Sequence, residues 1–392
     1  MEDKPRALFV SPESPYPPIG GGPLRSASLV EYLRKRYCLD VILFRQPGGR
    51  APSCPGAVRT LILDLPYHSR ILPARFCRNA ARFILGRPPL IDRFRGFAEG
   101  IGTFVRGQTY EVAVIEHLWV APYAPLLRAT CRRIVVDLHN IESEWHRRCA
   151  EAEGGLFAVA MRRFARFAER VEADLLPQVD LTLTASEADA KRVGEIAPGA
   201  RVAVYPNVLP FTPIPPQVES GPSIVFSGNF EYLPNVQAIR WFHERIWPRL
   251  RRIYPGLRWR LVGSHVEAAP RRVLSDPGVE TVAAGADAIS ILARSSIGIA
   301  PIVSGSGTRL KILEMWAAAL PVVSTHLGAE GLGARPGVEV LLADDPDQFA
   351  RCVIELLEEA GRRREIGVAG RRLYEREFTW QAGWKRLESL GI

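Results

Sequence analysis

The 392-residue sequence is short of cysteine, of lysine and of long apolar runs. Its six cysteines (Cys38, Cys54, Cys77, Cys131, Cys149 and Cys352) are scattered, with no C-x-x-C pair and no histidine at zinc spacing. That excludes a zinc ribbon and argues against a disulfide framework, so they read as reduced packing thiols of a cytoplasmic protein. No stretch approaches the ~18–20 continuous apolar residues of a membrane span. Met1–Arg6 leads into only Ala7-Leu8-Phe9-Val10, too short for the core of a secretory signal, and a first β-strand is expected there. Only five of the 51 basic residues are lysine; the rest are arginine, and against 42 acids they leave a net charge of +9. Such a surplus suits an anionic partner (nucleic acid, an acidic membrane surface or a phosphorylated substrate) or reflects arginine-rich composition alone. No aromatic–basic stacking pattern accompanies it, so no nucleic-acid partner is expected.

What is present is globular. Apolar residues make up 47% and charged residues 24%, and the length suits two domains of under about two hundred residues each. Short apolar runs alternate with helical patterns. Ala7–Ser11, Asp40–Phe44, Val112–Glu116, Ile134–Leu138 and Leu181–Thr184 read as buried strands, Ser26–Arg36 and Val159–Leu176 as helices. Six prolines between Pro206 and Pro222 interrupt the pattern. It then restarts with strands at Ser223–Ser227, Trp259–Val262, Ile297–Pro301 and Pro321–Thr325. Helices are expected over Val236–Arg252, Ala286–Arg294, Leu310–Ala319, Gln348–Glu359 and Arg362–Phe378. Two similar α/β halves with parallel sheets follow: residues 1–205, a proline-rich linker 206–222, a second domain 223–375, and a C-terminal segment 376–392 returning to the first.

Four segments carry candidate chemistry. Ala300–Glu314 runs from a strand through the small-residue loop Ser304–Thr308 into a helix, so free backbone amides and the helix dipole converge on one point. Arg309 and Lys311 in the first turn are disfavoured by that dipole and make sense in front of a pyrophosphate. Glu314, on an otherwise apolar helix, suits the hydroxyls of a ribose. The competing reading is a solvated helix start with a Lys311–Glu314 pair. Gly20-Gly21-Gly22 lies between the first strand and its helix; it lacks G-x-G-x-x-G spacing and is either a flexible loop or a close backbone approach to a ligand. His139, at a strand end, suits either contact with a sugar or a structural bond to the backbone. Gly228-Asn229 opens the second half as the glycines open the first. Asp345-Pro346-Asp347 spells D-x-D but stands before a helix and reads as its cap, so no metal is assigned.

With these segments, the chain resembles the retaining GT-B glycosyltransferases of family 4, in particular the sugar transferases of bacterial exopolysaccharide and cell-envelope clusters. The likeness is strongest in GNFEYLPNVQAIRWF, APIVSGSGTRLKILEMWAAALPVVST and GAEGL (Gly328–Leu332). It implies two Rossmann-like doubly wound domains facing each other across a cleft, the second holding a nucleotide-diphosphate sugar (UDP- or GDP-linked) and the first an acceptor. Glu314 matches the second glutamate of the family's paired motif, which binds ribose. Gly307, Thr308, Arg309 and Leu310 match the loop whose amides meet the phosphates, Gly20–Gly22 the N-terminal loop near the diphosphate, and His139 a histidine touching the donor sugar.

Metal-independent transfer with retention is likewise implied, with the nucleotide sugar a co-substrate and no cofactor. The first glutamate of the pair is replaced by Ser306. The usual arginine and lysine after the second domain's first strand are missing around Asn229 and Asn235, which leaves Arg309 and Lys311 to neutralise the diphosphate. A nucleotide-sugar epimerase of the same architecture and a non-catalytic donor-binding subunit are the alternatives. Tyr67–Arg106 carries eight arginines against Asp92 and Glu99, with the apolar Phe76, Phe83, Ile84, Leu85, Phe94 and Phe97 interleaved. It suits either docking on an anionic membrane, which would present a lipid-linked acceptor from the inner face, or a solvated helical pair.

Overall fold

A computed structural model of the chain describes residues 4–49, 51–68, 71–152, 154–216, 221–285, 287–304 and 310–392. It divides into two compact units, Met1–Pro206 with Leu387–Ile392, and Asn207–Arg386.

The first unit is built on seven strands: β1 (Arg6–Ser11), β2 (Cys38–Arg45), β3 (Arg59–Asp64), β4 (Tyr110–Glu116), β5 (Cys131–Asp137), β6 (Leu181–Thr184) and β7 (Val202–Val204). They lie in the order β3-β2-β1-β4-β5-β6-β7, every pair parallel. The central strands are covered on both faces, so they read as near-continuous apolar runs: Leu8 and Val10, Ala113 and Ile115, Ile134 and Val136 sit in one buried cluster. The strand order reverses between β1 and β4. At such a point adjacent loops diverge and leave a crevice beyond the carboxyl ends of the strands. The register sets Glu116 beside Asp137 there.

In the second unit, β8 (Ser223–Asn229), β9 (Arg258–Ser264), β10 (Val279–Ala283), β11 (Ile297–Ala300), β12 (Val322–Ser324) and β13 (Leu341–Leu342) form a parallel sheet in the order β10-β9-β8-β11-β12-β13. Its reversal point lies between β8 and β11. Gly228 pairs with Gly263 in the β8–β9 register, and a Cβ on Gly263, whose φ is +148°, would fall 1.9 Å from the Gly228 carbonyl oxygen. Backbone cannot yield as a side-chain tip can. Gly263→Ala is therefore expected to cost about 3 kcal/mol, read as a lower denaturant midpoint at unchanged slope.

Several elements depart from the sequence-based expectation. The first helix spans Gly21–Arg36, so Gly21 and Gly22 belong to its opening turn rather than to a free loop. Only Gly20, at φ +87°, stands outside as the residue before the helix, where positive φ suits glycine. The expected helix over Val236–Arg252 is two, Leu233–Arg245 and Trp247–Ile253. Pro248 has no N–H to continue the first helix but is at home in the opening turn of the second. The described part of the proline-rich stretch is hydrogen-bonded to the helices of the second unit. Leu209 accepts from Trp380 N at 2.8 Å and donates to Phe378 O at 2.9 Å, while Tyr374 Oη and Arg371 Nη2 bond the Pro210 and Thr212 carbonyls. Asp345 caps the helix Pro346–Glu358 by accepting from Asp347 N and Gln348 N.

Candidate active site

Beyond the carboxyl ends of the first sheet lies a buried ionic network. The helix Gly21–Arg36 enters after β1 and turns Arg25 and Ser26 inward. The Arg25 guanidinium grips both oxygens of Asp137, Nε to Oδ2 at 2.8 Å and Nη2 to Oδ1 at 2.5 Å, and its third nitrogen donates to the Tyr205 carbonyl at 2.6 Å. Ser26 Oγ donates to Glu116 Oε2 at 2.6 Å. His139 Nε2 stands 3.4 Å from both Glu116 Oε1 and Asp137 Oδ2. These side chains are almost wholly removed from water. A fork-shaped cation on two oxygens is the geometry that recovers most of the cost of burying the charges.

The protonation pattern follows. Burial would discharge His139, but bonds to Asp137 and Glu116 outweigh it and raise its pKa to about 9. Asp137 is held well below the carboxylate range: burial opposes this, and Arg25 and His139 overcome it. His117, at the end of β4 with φ +63°, lies with its ring centroid 3.9 Å from that of His139. Burial first, and then the charged His139, push its pKa well down, so it stays neutral.

Between the His139 pKa of about 6.5 in the unfolded chain and about 9 in the folded one, the folded protein holds a proton the unfolded chain lacks. That contribution to stability is complete below about pH 6.5 and disappears as pH rises through about 9. Urea midpoints across this range should fall with pH, and His139→Gln should flatten the fall; a wild-type profile already flat there contradicts the assignment.

Glu116, Asp137 and His139 each offer a ligand atom within 4.8 Å of the others, a spacing a metal ion could use. Both Asp137 oxygens and one Glu116 oxygen are already engaged by Arg25 and Ser26, and the two carboxylates are matched by a guanidinium and an imidazolium. The set fits an internal ion network better than a cation cage. Gly22 borders it: a Cβ there would come 3.2 Å from Glu13 Oε2 and 3.7 Å from His139 Nδ1.

The second unit has a corresponding cluster where β8 and β11 end. Glu314, in the helix Leu310–Ala317, accepts from Ser227 Oγ at 3.3 Å. Burial raises its carboxyl pKa to about 7, against the opposing pull of Ser227 and Lys311. Lys311 does not turn to Glu314. Its Nζ donates to Asn235 Oδ1 at 2.6 Å and lies 4.2 Å from the centroid of the Phe226 ring. Asn235 also donates to the Asn229 carbonyl at 2.8 Å, and Asn229 Oδ1 accepts from Glu231 N at 2.9 Å. Gly228 completes this frame, since a Cβ on it would fall 2.6 Å from Asn235 Nδ2. Gly328 has a similar duty, a Cβ there being 2.6 Å from the Ala300 carbonyl oxygen.

Of the residues singled out in the sequence, Gly228, Asn229, Leu310, Lys311 and Glu314 thus gather in the second unit, and Gly20, Gly21, Gly22 and His139 in the first. Ser306, Gly307, Thr308 and Arg309 lie outside the described residues. The sequence did not single out Arg25, Ser26, Glu116, His117 or Tyr205. A charged residue closing an apolar run, as in VAVIE and IVVD, is the signal that would have found the two carboxylates.

Residues 221–359 match the family described as glycosyl transferases group 1. An alignment 158 positions long, covering 37% of this chain and 39% of the other, is 24% identical to an uncharacterised 44.6 kDa protein in the cps region of Klebsiella pneumoniae. Sucrose-phosphate synthase from Thermosynechococcus elongatus has a similar structure, with 16% identity, 99% of this chain and 98% of that one covered, and a TM-score of 0.72. The Anabaena protein HepE, solved in complex with UDP and glucose, is 14% identical over 99% of each chain, with a TM-score of 0.64. At such identities the fold is what is shared: two parallel-sheet α/β domains of the GT-B kind.

Proposed function

We propose that this protein is a glycosyltransferase that moves a sugar from a nucleoside-diphosphate donor to an acceptor hydroxyl. The observation that carries the reading is Glu314: a carboxylate drawn out of water at the reversal point of the second sheet, on a helix preceded in sequence by Ser-Gly-Ser-Gly-Thr and within the segment that matches the group 1 family. Among the described residues its side-chain hydrogen bond is a long one from Ser227, and a ribose diol would add two donors. The donor is a UDP- or GDP-sugar, in keeping with the UDP bound by HepE.

In the proposed mechanism the bond between the anomeric carbon and the donor phosphate breaks as the acceptor oxygen bonds that carbon on the same face. The acceptor proton passes to the departing phosphate oxygen, so anomeric configuration is retained and no metal is required. Amides following Gly307, with Arg309 and Lys311, offset the charge developing on the diphosphate. Gly20–Gly22 line the approach to the donor diphosphate, His139 contacts the transferred sugar, and the first unit binds the acceptor, a glycan or lipid-linked saccharide of polysaccharide or glycoconjugate synthesis. The relative in the cps region favours that setting.

A thermal-shift screen of nucleotide sugars tests the donor assignment. One class, UDP- or GDP-linked, should raise the melting temperature by several degrees at about a hundred times its Kd. A screen in which no nucleotide sugar shifts the transition contradicts the reading.

A further inference from the structure

The helix Leu72–Leu85 is turned inside out. The side chain it buries is Arg82, which donates to Asp92 at 2.9 Å, whereas Leu72 (77% exposed), Phe76 (74%) and Ile84 (68%) stand in solvent. On a 3.6-residue helix Leu72, Phe76 and Phe83 fall on one side with Ile84 at its margin, and Arg75, Arg78 and Arg82 fall on another. A soluble surface helix puts these faces the other way round.

The patch does not stop at this helix. Arg163, in the helix Gly155–Leu175, donates through Nε to the Phe83 carbonyl at 2.5 Å and also bonds the Ile84 carbonyl, fixing the two helices together. On the same side of that helix, one and two turns before Arg163, Val159 and Leu156 are exposed, Leu156 to 89%. Large side chains left in water over such a contiguous area mark an interaction surface.

Charge indicates what covers it. Eight arginines between Tyr67 and Arg106 face two acids, one of which, Asp92, is already taken by Arg82. His68 records the resulting field: burial, then Arg82, Arg78 and Arg93, hold its pKa below the ordinary histidine value. Among the described residues no helix is long and apolar enough to cross a membrane. An apolar face bordered by cations, too short to span, is the pattern of a helix lying in a lipid headgroup layer.

We propose that the face formed by Leu72, Phe76, Ile84 and Leu156 docks on an anionic lipid bilayer, with exposed arginines at its border, Arg75 among them, reaching the lipid phosphates. This docking does not depend on the transfer reaction and is read without any donor or acceptor.

The test is co-sedimentation of the full chain with vesicles of phosphatidylcholine alone and with roughly one third phosphatidylglycerol. The protein should partition onto the anionic vesicles at least about tenfold more strongly, and about 0.5 M salt should release most of it. The exposed pair Phe76→Ser with Ile84→Ser should weaken vesicle binding about tenfold or more while leaving the melting temperature in place. Equal partitioning onto both vesicles, or none onto either, overturns the proposal. So does a protein that self-associates in vesicle-free sedimentation and becomes monomeric in the double variant, since a second copy would then be what covers the face.

Discussion

Arg25→Met should lower stability by about 3–5 kcal/mol, seen as a melting transition roughly 10 °C lower. The magnitude comes from what is left behind rather than from the bond removed. Asp137 is fully buried, both its oxygens face the guanidinium, and without Arg25 its remaining cation is His139 at 3.4 Å. A buried carboxylate deprived of its main partner pays most of its desolvation cost uncompensated. Because Asp137 is more acidic folded than unfolded, its contribution is intact at neutral pH and disappears only as pH falls below about 4. Arg25→Lys should recover part of the loss, since an ammonium keeps the charge but cannot span both oxygens. The pair Arg25→Met with Asp137→Asn should cost less than the sum of the single changes, because each single change orphans the other charge. Additive costs would show that the two side chains are not coupled.

Glu314→Ala should weaken donor binding by two to three orders of magnitude, equivalent to losing two hydrogen bonds to a charged group at about 1.5–3 kcal/mol each, partly offset by water. Titration calorimetry with the donor found in the thermal-shift screen measures it directly. The pH profile separates this role from a packing one. With the Glu314 carboxyl at about 7, affinity for a nucleotide sugar, whose diphosphate does not itself titrate there, should rise as pH moves from about 6 to about 8. Glu314→Gln, which retains shape and one acceptor, should bind weakly and without that rise. Wild-type affinity in the alanine variant would remove Glu314 from the site.

Much of the fold was legible because its information is local. Apolar runs such as Ala7–Val10 and Val112–Ile115 can only be strands buried on both faces, and their alternation with helices dictates a parallel sheet. The edge strands β3 and β7 were not read from the sequence: β7 has only three residues, and β3, although it carries Leu61-Ile62-Leu63, lies partly exposed at the sheet edge. Pro248 marked a break within Val236–Arg252, and a helical pattern continuing on both sides hid it.

Glu314 could be picked out as the one acid on an apolar helix. The ion network could not, since Arg25 meets Asp137 across 112 positions and only the β1–β4–β5 order brings them together. The interleaved arginines and apolar residues of Tyr67–Arg106 likewise left open a membrane-docking face or a solvated helical pair, without saying which side faces inward. The bond between Arg82 and Asp92 decided that.

The reaction itself is the most direct test. The protein, incubated with the donor class identified by thermal shift and a panel of saccharide and lipid-linked acceptors, should release nucleoside diphosphate and form glycosylated acceptor in equal amounts. NMR of the product should show the anomeric configuration of the donor unchanged. Conversion of the donor to an isomeric nucleotide sugar with no diphosphate released would contradict the account and make the protein an epimerase.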